Sequence, residues 1–206
     1  MKIDKLDLPD SAIEFLKSQG FEKLYPPQVD SVKSGLLDGK SILVSAPTAS
    51  GKTLIAMLAM FSYLSKNNGK VVYLSPLRAL AAEKFTEFKK LEKIALGKKI
   101  KVGVSTGDFD GIEKNLEKSD ILILTNEKMD SVIRHGVEWI DEIGLVISDE
   151  VHLIGDENRG PTLEMILTQL KLLDSKPQIV GLSATITNSD EIANWLDCKL
   201  VKNDWR

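Results

Sequence analysis

Short apolar segments and helix-like segments alternate along the chain. The apolar segments are rich in Val, Ile and Leu and lack polar alternation, which is typical of parallel strands covered on both faces. They predict strands at 41–45, 70–75, 101–104, 120–125, 145–148 and 178–183. Apolar positions at helical spacing predict helices at 11–18, 27–37, 52–65, 77–96, 127–135 and 162–173. This succession indicates a doubly wound α/β fold: a mainly parallel sheet with helices on both faces and functional residues at the carboxyl ends of the strands.

Composition narrows the class of protein. The 206 residues fit one domain, because a domain usually spans about 100–200 residues. A hydrophobic fraction of 43% excludes a disordered chain, and the single cysteine, Cys198, excludes a disulfide scaffold and favours a reducing, cytoplasmic location. No apolar run approaches the roughly 20 residues of a membrane helix, so no membrane partner is expected. The net charge of −3 disfavours nucleic-acid binding through overall charge but leaves local basic patches open.

The strongest local signal is Ala46-Pro47-Thr48-Ala49-Ser50-Gly51-Lys52-Thr53, between a predicted strand and a predicted helix. Its spacing is that of a phosphate-binding loop, with Ala46 where the general pattern has glycine. Small residues let successive backbone N–H groups face a phosphate, and the following helix presents its positive N-terminus. Lys52 would reach the outer phosphates, and the Thr53 hydroxyl would bind Mg²⁺. The predicted nucleotide contacts in this loop are Ala46, Thr48, Ala49, Ser50, Gly51, Lys52 and Thr53.

A second signal follows the predicted strand at 145–148, where Asp149 and Glu150 come directly after apolar residues. The carboxyl ends of parallel strands share one edge of the sheet, so this pair should lie near the phosphate loop. Asp149 is predicted to contact Mg²⁺, and Glu150 to orient or deprotonate the water that attacks the γ-phosphate. His152 alone is ambiguous, because a histidine after a strand more often makes a local hydrogen bond than acts in catalysis.

The two motifs together, Gly51-Lys52-Thr53 and Asp149-Glu150-Val151-His152, resemble the ATPase core of the superfamily-two helicases in the DExH group. The resemblance runs from 25 to 185 and implies a RecA-like domain with ATP and Mg²⁺ as cofactors. Tyr25-Pro26-Pro27-Gln28 resembles the Q motif, which implies that Gln28 reads the adenine through a bidentate amide contact. Ser183-Ala184-Thr185 resembles motif III, which links ATP hydrolysis to strand movement. It implies a coupling role for His152, Ser183 and Thr185.

Three further segments resemble motifs that hold nucleic acid in this family. They are 75–80 (motif Ia), 105–108 (the Thr-Gly element) and 125–128, which resembles the Thr-Pro-Glu element with Asn126 in place of proline. Such loops bind the sugar-phosphate backbone irrespective of base sequence. The implied contacts are Arg78, Thr106, Gly107, Thr125 and Asn126. We interpret most of the lysines between 78 and 101 as a solvated helix face, and Arg78 as an exception because it follows directly from a strand.

A finer resemblance is to archaeal repair helicases of the superkiller-like branch, which are similar to the helicase part of polymerase theta. It rests on the 46–53 loop, on Leu24-Tyr25-Pro26-Pro27-Gln28 and on Asp204-Trp205-Arg206. It implies an ATP-dependent 3′-to-5′ DNA helicase or translocase that acts on single-stranded or forked DNA in replication-linked repair. RNA helicases of the same branch share most of these motifs, so RNA remains an alternative substrate.

The resemblance also implies a second RecA-like domain, which supplies an arginine finger to ATP bound between the two. We therefore expect residues 1–206 to be a single RecA-like domain, with 1–24 as a lead-in, from a longer and monomeric protein. Alone it should bind nucleotide weakly and hydrolyse it very slowly. An autonomous P-loop binding module, a small-molecule kinase and a motor subunit of a nuclease complex remain alternatives. The kinase is disfavoured because Glu150 beside Asp149 suits water activation, and the nuclease motor because of the Tyr-Pro-Pro-Gln and Asp-Trp-Arg matches.

Overall fold

A seven-stranded sheet forms the centre of the computed structural model, which describes residues 1–107 and 116–205. The strands are β1 (Ile42–Ser45), β2 (Lys70–Ser75), β3 (Val102–Ser105), β4 (Ile121–Thr125), β5 (Ile143–Ser148), β6 (Gln178–Ser183) and β7 (Lys199–Lys202). Their order across the sheet is β3-β4-β2-β5-β6-β1-β7, and all neighbouring strands pair in parallel. The predicted doubly wound α/β fold is confirmed.

Helices cover both faces of the sheet. Those described are α1 (Asp10–Ser18), α2 (Pro26–Lys33), α3 (Lys52–Lys66), α4 (Arg78–Phe88), α5 (Asn126–His135), α6 (Gly160–Lys171) and α7 (Ser189–Trp195). Side chains of α1 to α4 pack in one core, and those of α5 to α7 pack in a second core across the sheet. Strand β2 contributes side chains to both cores, because successive side chains of a strand point to opposite faces of the sheet. Val71 and Tyr73 lie in the first core, and Val72 and Leu74 lie in the second.

The six predicted strands agree with the structure to within two residues, but two predicted helices are shorter than expected. The helix predicted at 27–37 ends at Lys33, because Gly35 takes a left-handed conformation with φ of 100°. The helix predicted at 77–96 ends at Phe88 and continues as the 3₁₀ turn Lys89–Lys93. The tighter turn lets the apolar side chains that precede β3 turn inward. These buried side chains are Leu91, Ile94 and Leu96.

Helix α7 and strand β7 were not predicted from the sequence. Strand β7 lies at the edge of the sheet, and Lys199 and Lys202 at its two ends are exposed. Charged residues at an edge strand discourage pairing with other chains, and they also hide the apolar pattern that identifies a strand.

Among the described residues, no helix has both the length and the apolar character needed to cross a bilayer.

Parallel pairing brings the carboxyl ends of the strands to one edge of the sheet, and each of β1 to β6 ends there in a buried hydroxyl residue. These residues are Ser45, Ser75, Ser105, Thr125, Ser148 and Ser183. Their small side chains leave room for the loops that follow the strands, and the sequence motifs other than Tyr-Pro-Pro-Gln and Asp-Trp-Arg begin at or just after one of these strand ends. The sheet therefore gathers at one edge motifs that are far apart in sequence.

Candidate nucleotide and nucleic-acid sites

The loop between β1 and α3 turns through two residues with left-handed backbone conformations, Ala49 with φ of 65° and Gly51 with φ of 82°. A side chain at position 51 would also be excluded by its neighbour, because a Cβ there would lie 2.1 Å from Nε2 of Gln28. Non-glycine residues rarely adopt such a φ, and strain of this kind concentrates at ligand sites. The loop thus has the compact turn that a phosphate-binding loop needs.

The side chain of Lys52 folds back across this loop. Its Nζ donates to the carbonyl oxygens of Ala46 at 3.0 Å and of Pro47 at 3.3 Å. Burial lowers the pKa of Lys52, and the charges of Glu150 and Asp149 partly oppose that shift. The hydroxyl of Ser50, in the same loop, is buried and has no hydrogen-bond partner among the described residues. A bound phosphate would give the Ser50 hydroxyl a partner and would offer the Lys52 ammonium an anion in place of two carbonyls, so the loop fits a nucleotide.

Both carboxylate oxygens of Asp149, which directly follows β5, accept hydrogen bonds from the protein. Oδ1 accepts from the backbone N–H of Glu150 at 3.0 Å, and Oδ2 accepts from the hydroxyl of Tyr73 at 2.6 Å. Burial, followed by the charge of Asp149, raises the pKa of Tyr73 well above its ordinary value, so the phenol stays protonated and donates. The protein's own groups therefore orient the Asp149 carboxylate from two sides.

The phosphate loop and the acidic pair line one cleft of about 370 Å³, as the sequence predicted. Its lining residues are Thr48, Ala49, Gly51, Lys52, Thr53, Tyr73, Leu80, Glu83, Lys84, Asp149, Glu150 and Leu182. Mg²⁺ prefers oxygen ligands and keeps several waters, and the Thr53 hydroxyl with the Asp149 carboxylate is a donor set of that kind. Within residues 1–107 and 116–205, no group of three or more His, Cys, Asp or Glu side chains could hold a metal by itself. The donors thus suit an ion completed by phosphate and water.

Gln28 connects α2 with the phosphate loop. Its side chain is only 1% exposed; Oε1 accepts from the backbone N–H of Tyr25 at 2.7 Å, and Nε2 donates to the carbonyl of Gly51 at 3.2 Å. The ring of Tyr25 stacks on that of Trp205, with ring centroids 4.4 Å apart. The Gln28 amide thus lies against the phosphate loop, and its contact with adenine stays a prediction.

His152 lies between the acidic pair and the segment that follows β6. Its Nδ1 is 3.2 Å from Oε2 of Glu150 and 3.4 Å from the backbone nitrogen of Ala184. A protonated Nδ1 donates to the carboxylate, whereas an unprotonated Nδ1 accepts from Ala184. Ser183 is buried and its hydroxyl donates to the carbonyl of Ala184 at 2.8 Å, while Thr185 is exposed. The three residues predicted for coupling therefore lie in or beside one contact between two strand ends.

The residues predicted to bind nucleic acid lie further along the same edge of the sheet. A small cavity of about 70 Å³ is lined by Arg78, Thr106, Gly107, Thr125, Glu127, Lys128 and Ser131. Asn126 is buried at the first position of α5, and the Thr125 hydroxyl accepts from the backbone N–H of Lys128 at 3.3 Å, which caps that helix. Asp108, part of the predicted Thr-Gly element, lies outside the described residues.

Comparison with known sequences agrees with this arrangement. The DEAD/DEAH box helicase family matches residues 25–192, which is more than half of the chain. The chain belongs to the DEAD/DEAH box helicase family. It is 48% identical over its whole length to the ATP-dependent DNA helicase Hel308 of Pyrococcus abyssi and 49% identical to that of Pyrococcus horikoshii. It spans only 28% of the length of each of these two relatives.

Solved structures resemble the fold as well. The DNA-bound structure of the helicase MrfA superposes with a TM-score of 0.83 at 25% sequence identity, covering 96% of this chain and 30% of that one. A second MrfA structure, bound to DNA and AMPPNP, gives a TM-score of 0.82 at 24% identity. The resemblance to a RecA-like helicase domain is confirmed, and the present chain corresponds to about a third of MrfA.

The two cavities are also lined by residues that the sequence patterns did not indicate. Tyr73 lies within an apolar strand, and the sequence pattern predicts a core residue there. Its hydroxyl nevertheless donates a hydrogen bond to Asp149. Lys84 lies in the lysine-rich segment that we interpreted as a solvated face, yet its Nζ donates to Oγ1 of Thr53 at 2.8 Å. Lys128 is only 4% exposed and lines the cavity with Arg78. Lys128 could have been indicated by its position as a charged residue within the 125–128 motif at the end of β4.

Proposed function

We propose that this chain is the ATP- and Mg²⁺-binding RecA-like domain of an ATP-dependent 3′-to-5′ DNA helicase. In this proposal the longer protein acts on single-stranded or forked DNA in replication-linked repair, in the cytoplasm. The main support is the cleft in which Lys52, Thr53 and the pair Asp149 and Glu150 meet. The Hel308 relatives, which are named ATP-dependent DNA helicases, favour DNA over RNA as the substrate.

ATP binding would use the backbone and side-chain groups of the phosphate loop and the acidic pair. The backbone N–H groups of the phosphate loop and the N-terminus of α3 attract the phosphates. Lys52 exchanges its contacts with the carbonyls of Ala46 and Pro47 for the outer phosphates. Thr53 and Asp149 would hold Mg²⁺, which when bound neutralises charge on the β- and γ-phosphates.

Hydrolysis would depend on Glu150. Its carboxylate lies in the cleft beside Asp149, where it can orient a water molecule and accept its proton. The Nδ1 of His152 lies 3.2 Å from this carboxylate and also contacts Ala184 in the Ser183-Ala184-Thr185 segment. These contacts support a link between ATP hydrolysis and movement of that segment. A second RecA-like domain of the longer protein would add an arginine finger, so the domain alone would bind nucleotide weakly and hydrolyse it very slowly.

The DNA strand would be held along the strand-end loops that follow β2, β3 and β4. The 70 Å³ cavity there is lined by two basic residues, Arg78 and Lys128, and by hydroxyl residues that include Thr106 and Thr125. Cations and hydroxyls bind backbone phosphates without reading bases, which suits a protein that moves along its substrate. Gly107 and Asn126 complete the set of contacts that we propose.

In the same proposal, residues 1–206 form one domain of the longer protein, with 1–24 as its lead-in.

The proposal is tested on the longer protein that contains this chain. ATP hydrolysis is measured without nucleic acid, with single-stranded DNA and with RNA of the same sequence and length. We expect stimulation by DNA that exceeds stimulation by RNA. Equal or greater stimulation by RNA would reassign the substrate, and the absence of ATP hydrolysis under all three conditions would contradict the helicase assignment.

A further inference from the structure

The hydroxyl of Thr53 accepts a hydrogen bond from a cationic side chain. Nζ of Lys84, on α4, donates to Oγ1 of Thr53 at 2.8 Å and pairs with Oε2 of Glu87 at 2.9 Å. The side chain of Lys84 is only 12% exposed, and it lines the same cleft as Asp149 and Glu150. The ammonium is therefore a fixed part of the cleft wall rather than a solvated surface charge.

This contact matters because, under the function proposed above, the same oxygen binds Mg²⁺. The ion approaches its oxygen ligands to about 2.0–2.1 Å and requires nearly octahedral geometry. An ammonium group that donates to the Thr53 hydroxyl competes for the oxygen that the ion must reach. The two cations also repel each other, and the repulsion is stronger in a partly desolvated cleft than in water.

We propose that Lys84 is a displaceable cation of the metal site. While the metal is absent, Lys84 holds the Thr53 hydroxyl; when Mg²⁺ binds with nucleotide, the ammonium leaves this oxygen and keeps its pairing with Glu87. Glu87 suits this role because its side chain is 35% exposed, which leaves it room to follow the displaced ammonium outward. Lys84 is thus a positioning residue that sets how strongly Mg²⁺ and nucleotide favour each other.

The position of Lys84 also connects the two candidate sites. Helix α4 begins at Arg78, which lines the proposed nucleic-acid cavity, and carries Lys84 less than two turns later. One helix therefore carries both a residue of the nucleotide cleft and a residue of the proposed nucleic-acid cavity.

The test compares nucleotide affinity with and without the metal. Binding of a fluorescent ADP analogue to the chain is measured in EDTA and in saturating Mg²⁺, for the wild type, Lys84→Met and Lys84→Gln. We expect both variants to bind about fivefold more tightly in Mg²⁺, a gain of about 1 kcal/mol, with little change in EDTA. Lys84→Gln keeps a hydrogen-bond donor without the charge, so it carries the test if Lys84→Met fails to fold.

Lys89→Met is the matched control. Lys89 forms an ion pair with Glu92 at 2.8 Å, with the same spacing of three residues, but it lies outside the nucleotide cleft. Its affinities should equal those of the wild type under both conditions. Circular dichroism and urea unfolding establish that each variant is folded.

The outcomes separate this inference from the proposed function. Unchanged affinity of both Lys84 variants in Mg²⁺ overturns the displaceable-cation role. Weaker binding by the same factor in EDTA and in Mg²⁺ also overturns it, because Lys84 would then be a phosphate ligand. If the folded wild type binds no nucleotide under either condition, the nucleotide site itself is wrong and the role of Lys84 fails with it.

Discussion

The hydroxyl of Tyr73 in β2 donates to Oδ2 of Asp149 at the end of β5, across 2.6 Å. Strands β2 and β5 are neighbours in the sheet, so a fully buried tyrosine lies beside the loop that carries the acidic pair. Its ring packs edge-on against Phe88, which fixes the direction of the hydroxyl. The carboxylate predicted to contact Mg²⁺ is therefore oriented from inside the core rather than from the solvent side.

Tyr73→Phe tests this support. The ring and its packing against Phe88 are kept, so the chain should fold; the loss of a hydrogen bond to a charged group should lower the free energy of unfolding by about 1–3 kcal/mol. Asp149 should then be less well ordered, and Mg²⁺ should strengthen nucleotide binding less than in the wild type. Urea unfolding and nucleotide titrations with and without Mg²⁺ measure the two effects. A variant with wild-type values in both would show that Tyr73 only fills the core.

The same tyrosine predicts how stability depends on pH. Its pKa is raised in the folded chain, whereas in the unfolded chain it titrates near the ordinary value of about 10. Below that pH both states are protonated and the contribution is fully present. Above it the unfolded state releases a proton that the folded state retains, so stability falls as pH rises.

The measurement is the free energy of unfolding in urea from about pH 9 to about pH 11, for the wild type and Tyr73→Phe. Other groups titrate in this range too, so the difference between the two proteins isolates Tyr73. We expect the wild type to lose stability more steeply than the variant. Parallel curves would contradict a raised pKa at Tyr73.

Lys52→Ala should remove most of the affinity for Mg-ATP. The side chain lines the cleft and is the residue expected to reach the outer phosphates. We expect at least a tenfold loss, or about 1.4 kcal/mol, by calorimetry. Lys66→Ala is the control, because Lys66 lies at the other end of α3 and pairs with Asp7. Equal affinity of the Lys52 variant and the wild type would refute the phosphate-loop assignment.

The position and turn of the candidate phosphate loop could be predicted from the sequence because the signal is local. Small residues, a lysine and a hydroxyl stand at fixed spacing between a strand and a helix, and the structure keeps them there. The acidic pair was also predictable, because the carboxyl ends of parallel strands share one edge. Gln28 and His152 depended on a family resemblance, since nothing in their immediate neighbours distinguishes them from ordinary surface or turn residues. Arg78 was distinguished both by that resemblance and by its position directly after a strand.

Tyr73 and Lys84 could not be predicted, because their partners are distant in the chain. Tyr73 meets Asp149 only because β2 and β5 are adjacent, although β3 and β4 lie between them in sequence. Lys84 lies on α4, which directs it toward Thr53, whereas Lys89, Lys90 and Lys93 lie in the 3₁₀ turn that follows. Both depend on the packing of elements against one another, which a hydrophobic pattern does not specify. The same limit applies to β7, where short length and terminal lysines hide the strand.

Arg78→Ala should weaken binding of single-stranded DNA by the longer protein with little dependence on base sequence. A lost phosphate contact also reduces the slope of log affinity against log salt by about 1. Binding is measured by fluorescence anisotropy over a series of salt concentrations. Lys90→Ala is the control, because Lys90 is exposed in the lysine-rich segment outside the cavity. If the two variants change the slope equally, Arg78 has no special contact and the binding reflects diffuse charge.

Glu150→Gln separates nucleotide binding from hydrolysis in the longer protein. The amide has nearly the same shape as the carboxylate but cannot accept a proton from water, so ATP should still bind while turnover falls by about 10²–10⁴. Single-turnover hydrolysis and equilibrium nucleotide binding measure the two steps separately. Glu164→Gln, at an exposed position of α6, controls for the loss of one negative charge. Near-normal turnover in the Glu150 variant would transfer the base role elsewhere, and His152, 3.2 Å from Glu150, would be the next residue to substitute.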